Sequence, residues 1–208
     1  MKLLVIGASG MIGSRVTEEA LGRGHEVIAA VRSPEALPAK DGLTPLKLEV
    51  TDGAAVAAAA KDADVIVGTV SPRSTGNPAQ EMEDIMKGYV AGATGAGKPI
   101  VVVGGAGTLN LPDGTPVADV VPEAYAAEAK AMRAAYALLD ASDAAYSFIA
   151  PPGEIAPGEK TGKFRLGGRE YLTDAEGNSR ISAEDFAIAL VDEAEAPKHG
   201  RAIFTVAY

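Results

Sequence analysis

The chain has 208 residues, 47% of them hydrophobic, enough for one globular domain with a full core. A net charge of -9, with no basic cluster to offset it, argues against nucleic acid or an anionic membrane surface as the main partner. Zero cysteines exclude disulfides, thiolate metal sites and a cysteine nucleophile.

Lys2-Leu3-Leu4-Val5-Ile6 is a short apolar run of strand formers, and Gly7-Ala8-Ser9-Gly10-Met11-Ile12-Gly13 follows at once. The run is too short for a signal peptide and passes straight into the glycine turn. No apolar stretch approaches the ~20 residues that span a bilayer, so a soluble cytoplasmic protein is expected. Ile12, Val16 and Ala20 then repeat at helical spacing, and Gly22 and Gly24 close the helix. Strand, glycine turn and helix in that order make a nucleotide-binding opening. Gly7 permits the tight turn, Gly10 lets a pyrophosphate approach the backbone, and Gly13 lets the helix pack close to the strand. Ser9, Met11 and Ile12 belong to the same phosphate-facing turn. The spacing, G-x-x-G-x-x-G, resembles that of the short-chain dehydrogenase/reductase superfamily in its extended and atypical branches.

A second strand is predicted over His25 to Arg32. The residue that ends this strand usually selects the cofactor. Here it is Arg32, followed by Ser33, with no carboxylate before Glu35. A guanidinium and a hydroxyl suit a 2′-phosphate, which favours NADPH and leaves NADH possible. Leu46 to Val50 alternates as a third strand. Asp52 caps the helix that follows and is the candidate partner of the adenine amino group. Asp64 to Val70 reads as the fourth strand, and its exit, beginning Gly68-Thr69-Val70, is expected to pass the pyrophosphate and the nicotinamide ribose. Arg73 is expected to be a solvated loop residue. Ala79 to Thr94 reads as a helix with Met82, Ile85, Met86 and Val90 on its buried side.

Ile100 to Val103 is a continuous apolar strand, as in a parallel sheet covered on both faces. Gly104-Gly105-Ala106 follows where short-chain reductases usually carry a Ser or Thr. A helix is predicted over Glu123 to Leu139. It holds Tyr125 and Lys130, but at i and i+5, about 140° apart around the helix, so no Tyr-Lys dyad is expected. Ala145 to Ala150 is the sixth strand, and Pro151-Pro152-Gly153 leaves it where a nicotinamide ring should end. Residues 153–208 read as a small substrate-side region. Gly158 to Gly168 suggests a hairpin or a strand with a turn, Ser182 with Asp185 nearly a capping box, and Ala202 to Val206 a closing strand. His25 and His199 are expected to be solvated, and no metal site is visible.

The expected fold is α/β, a Rossmann-type doubly wound parallel sheet of about six or seven strands in a single domain over residues 1–208. Several stretches together resemble one family: the opening turn, Val31-Arg32-Ser33-Pro34, Val103-Gly104-Gly105-Ala106-Gly107, the run Pro157 to Gly168, Ile181 to Ala187, and Pro197-Lys198-His199. They look like the NAD(P)H-flavin reductases, atypical short-chain proteins of the NAD(P)H-binding NmrA-like group, and are similar also to biliverdin reductase B. That resemblance implies a nicotinamide cofactor and reduction of flavins or similar flat acceptors, with FMN or FAD as substrate rather than prosthetic group. The resemblance also has departures: glycines after the fifth strand where biliverdin reductase B has Ser, and Gly153 where it has His. Ala106, Tyr125, Pro152 and Phe164 are the candidate acceptor pocket, and Gly104, Gly105 and Pro151 its cofactor side. The alternative is a non-catalytic NADP(H) sensor of the NmrA type. The partner expected is a small molecule, with monomer or homodimer undecided.

Overall fold

The computed structural model describes residues 1–208. The chain runs β1 (Lys2–Ile6), α1 (Met11–Gly22), β2 (Glu26–Val31), β3 (Leu43–Lys47), α2 (Gly53–Ala60), β4 (Val65–Gly68), α3 (Pro78–Ala96), β5 (Ile100–Val103), α4 (Glu123–Asp140) and β6 (Tyr146–Ala150). It ends with β7 (Glu154–Ala156), β8 (Arg165–Gly167), β9 (Arg180–Ser182), α5 (Ala183–Glu195) and β10 (Ile203–Ala207). The main sheet has eight strands in the order β3-β2-β1-β4-β5-β6-β10-β8, one more than the largest number expected. Only β8 runs antiparallel, against β10. From β1 the chain winds outward to β2 and β3, then returns to β4 on the other side. That reversal opens a crevice at the carboxyl ends of β1 and β4.

Every residue of β4, β6 and β10 is buried, because helices cover both faces. One core lies beneath α2, α3 and α4 and holds Tyr89, Met82, Met86 and Phe148. The other lies beneath α1 and α5 and holds Val16, Phe186, Leu190 and Phe204.

Two expectations are corrected here. The third strand is Leu43–Lys47, earlier than Leu46 to Val50. Its Pro45 is tolerated because β3 is an edge strand, and Leu48 and Val50 turn inward beyond it. Within residues 153–208, α5 and β10 complete the main sheet and its cover, so only the segment before α5 stands aside as β7, β9 and loops. The Ser182 hydroxyl does accept from the Asp185 amide at 3.0 Å, but no reciprocal box closes. The Asp185 carboxylate is fully buried and accepts instead from the amides of Thr161 (2.9 Å) and Gly162 (2.8 Å) and from the Tyr208 hydroxyl (2.9 Å).

The two histidines are not simply solvated. His25 meets Glu195 at 2.6 Å, and His199 meets the buried Glu193 at 2.8 Å while stacking on Phe204. No helix is long and apolar enough to cross a membrane.

Candidate functional site

Gly7 turns the chain out of β1 with φ +89°, a region that side chains disfavour. Its amide donates to the Ala30 carbonyl at 2.9 Å, and its carbonyl accepts from the Gly10 amide at 2.9 Å. A Cβ on Gly13 would lie 2.1 Å from the Gly7 carbonyl oxygen. Only glycine therefore lets α1 start this close to β1. The helix start is otherwise bare: Gly10 provides no side-chain cap, and the first turn has no acidic residue. The amides of Met11, Ile12 and Gly13 find no acceptor within the protein. Free amides and the positive end of the helix dipole in a glycine cradle suit an anion such as a pyrophosphate.

A cleft of about 490 Å³ opens from this turn. Its near wall is Gly7, Ser9 and Gly10. Leu48, Val50 and Ile85 give it an apolar slot fit for a flat base, with Thr51 and Asp84 at the polar margin. Arg32 stands exposed at the mouth, without an ion-pair partner. A lone guanidinium there can take a phosphate in bidentate geometry.

The opposite wall is the exit of β4. Thr69 donates its hydroxyl to the Ile6 carbonyl at 2.9 Å, tying β4 to β1. The Val70 amide donates to the Tyr89 hydroxyl at 3.0 Å. Tyr89 is wholly buried, which pushes its phenol well above the usual range. A Cβ on Gly68 would lie 2.6 Å from its ring, so Gly68 serves packing and is not among the cleft residues.

Beyond Val70, Ser74 and Thr75 fold back onto Glu81 in the first turn of α3. Their amides donate to its carboxylate at 3.0 Å each, and both hydroxyls also donate to it. Burial opposes the Glu81 charge, but these hydrogen bonds outweigh it and hold the carboxyl below its ordinary pKa. Arg73 is the solvated loop residue expected, its side chain 72% exposed, and it meets Glu128 of α4 at 3.2 Å at the surface.

The structure brings Gly7, Ser9, Gly10, Arg32, Thr69 and Val70 into one cleft. Met11 and Ile12 begin α1 beside it. Ser33 opens a 3-10 turn, makes no capping bond and is not in the cleft wall. Asp52 caps α2, its carboxylate accepting from the Ala55 amide at 3.0 Å, and is not in the cleft wall; Glu49, Thr51 and Asp84 form the polar margin. A Cβ on Gly104 would lie 2.0 Å from the Phe148 ring, and one on Gly105 would lie 3.2 Å from Met132. Both glycines thus answer to core packing. Thr108 is fully buried and donates its hydroxyl to the Gly105 carbonyl at 2.7 Å.

Pro151 and Pro152 are buried at the β6 exit, and Ala106 opens a 3-10 turn after β5. Tyr125 is 64% exposed on α4, while Phe164 packs on the α1–α5 side of the sheet. The two aromatics belong to opposite faces and do not make one pocket floor.

Sequence reasoning missed Glu81 and Tyr89 as wall-builders. The Asn77-Pro78 start of α3, with an acid four residues after the cap, was the available signal for Glu81.

The family described as NAD(P)H-binding matches residues 7–197. The Bacillus subtilis protein YwnB is 31% identical over 99% of this chain and 98% of its own. Two solved structures are similar over the whole length. A Burkholderia pseudomallei protein provisionally named as exported is 41% identical, with a TM-score of 0.89 and 100% of both chains covered. A Streptococcus pneumoniae protein provisionally named an NADH-flavin reductase is 30% identical, with a TM-score of 0.87 and coverage of 100% of this chain and 99% of that one.

Proposed function

The chain belongs to the NAD(P)H-binding family, and we propose that it is an NADPH-dependent reductase of a flavin or similar planar acceptor. The observation that carries the cofactor choice is Arg32, an unpaired cation at the mouth of the cleft. The Streptococcus pneumoniae relative's name supports the acceptor class.

The amides at the start of α1 would hold the pyrophosphate, Arg32 the 2′-phosphate, and the slot of Leu48, Val50 and Ile85 the adenine. A bound NADPH would supply a hydride to the acceptor. The protein contributes position and the exclusion of water. Tyr125 and Lys130 stand five positions apart on α4, and Tyr125 points largely to solvent. On this reading the reaction uses no acid-cation dyad. Planar acceptors such as flavins need none, since they exchange protons with water. A sugar-nucleotide epimerase would need that pair.

The same missing dyad supports the second reading, a redox sensor that binds NADP(H) without turnover. Oxidation of NADPH and NADH by the purified protein, with FMN, FAD and a quinone as acceptors, separates the two. Saturable turnover, faster with NADPH, is the expected result. Tight NADPH binding without turnover on any acceptor would replace the reductase by the sensor.

A further inference from the structure

Parallel register carries the row of Ile6 through Gly68 and Val102 to Phe148. β1 and β4 end on this row, β5 one residue and β6 two residues beyond it, so their exits share one sheet edge. Neighbouring strands lie about 4.8 Å apart and rise about 3.3 Å per residue, which places the β6 exit about 12 Å from the β4 exit that walls the cleft. Pro151-Pro152-Gly153 leaves the sheet there. The Gly153 amide donates to the Ser179 hydroxyl at 3.1 Å, and the Glu154 amide to the Ser179 carbonyl at 2.8 Å, so this turn is fixed.

A Cβ on Gly153 would lie 2.0 Å from the hydroxyl oxygen of Tyr171 and 3.1 Å from its Cζ. The phenol thus fills the place a side chain at 153 would take. Tyr171 itself is anchored: its amide donates to the Asn110 carbonyl at 2.8 Å, and its ring packs at the margin of the core beneath α4.

The chain has six tyrosines. The hydroxyls of Tyr89, Tyr136, Tyr146 and Tyr208 all bond within the protein. Tyr125 projects into solvent. Tyr171 is half-buried, yet its hydroxyl has no protein partner, and every fully buried side-chain polar atom in the protein has one. A held phenol with an open donor stands beside Gly153, at the end of the sheet where ligands of this fold class bind.

We propose that Tyr171 marks the acceptor site, its hydroxyl donating a hydrogen bond to a carbonyl oxygen of a planar acceptor bound beside the β6 exit. The inference rests on the reductase reading and names a recognition element for it. Flavins and quinones both carry such oxygens. Two-electron reduction builds negative charge on the carbonyl oxygen, and a fixed donor aimed at that charge strengthens its bond as the charge develops. Gly153 leaves the phenol its room.

The test uses FMN and menadione as probes, with the protein saturated with NADP⁺, and reads their affinity by fluorescence or calorimetry. Y171F removes the donor and keeps the ring. It should weaken both probes about three- to tenfold, the range for one hydrogen bond. G153A should weaken them in the same direction by driving the phenol aside. NADPH affinity and Tm should stay at wild-type values in Y171F. Wild-type binding of both probes that Y171F leaves unchanged overturns the role of Tyr171 alone. Wild-type protein that binds NADPH but neither probe overturns the acceptor reading and this inference with it.

Discussion

Replacing Gly13 by Ala probes the turn on which the cleft is built. The added methyl would lie 2.1 Å from the Gly7 carbonyl oxygen, 2.7 Å from its carbonyl carbon and 2.8 Å from the Thr69 hydroxyl. Non-bonded carbon atoms rest at about 3.5–4.0 Å, so α1 must back away from β1. Gly7 cannot yield freely, because its amide is held by Ala30 at 2.9 Å. Such overpacking costs about 1–3 kcal/mol. The better helix propensity of Ala returns up to about 1 kcal/mol.

The net loss of about 1–2 kcal/mol corresponds to a drop in Tm of about 2–8 °C for a chain of this size. The retreat of the helix start also takes its free amides away from the phosphate position. Thermal unfolding and NADPH titration of the same samples read both effects, and NADPH affinity should fall tenfold or more. Gly22→Ala is the control, because nothing lies within 4 Å of a Cβ there. A Gly13→Ala protein with wild-type Tm and wild-type NADPH affinity would refute the packing argument.

Three further outcomes are expected. Arg32→Ala should weaken NADPH about 10- to 100-fold, the value of a charged hydrogen bond, and leave NADH nearly unchanged in the same titration. Glu81→Gln loses half of its acceptor capacity for Ser74 and Thr75; their amides should exchange with deuterium faster, and KM for NADPH should rise while kcat holds. Glu193 is buried, which opposes its charge, but hydrogen bonds from Ser147 (2.6 Å) and His199 (2.8 Å) hold its pKa below the ordinary Glu range. A folded pKa below the unfolded one stabilises the protein above the unfolded value of about 4.3. That contribution is lost as pH falls through the folded pKa, so Tm should drop in acid more steeply for the wild type than for Glu193→Gln.

The opening turn was legible because its physics is local: an apolar strand, three spaced glycines and a helical period within two dozen residues. Arg32 was legible for the same reason, as the residue that ends a strand. The third strand was misplaced because alternation in Leu46 to Val50 outweighed Pro45, which only an edge position tolerates. Asp52 caps α2 as its place before Gly53 suggests, and it is not among the residues that line the cleft. The roles of Gly68, Gly104 and Gly153 depend on Tyr89, Phe148 and Tyr171, which lie between 18 and 44 residues away and reach them only through tertiary packing. No spacing rule in the sequence reports such contacts. The second wall of the cleft was missed in the same way, since Glu81 acts on Ser74 and Thr75 through a loop that folds back on its own helix.

The most direct measurement is calorimetric titration of the wild-type protein with NADPH and with NADH at one salt concentration. A single site per chain that prefers NADPH at least tenfold is the predicted result. Equal affinity, or a preference for NADH, would contradict the assignment of Arg32 to a 2′-phosphate.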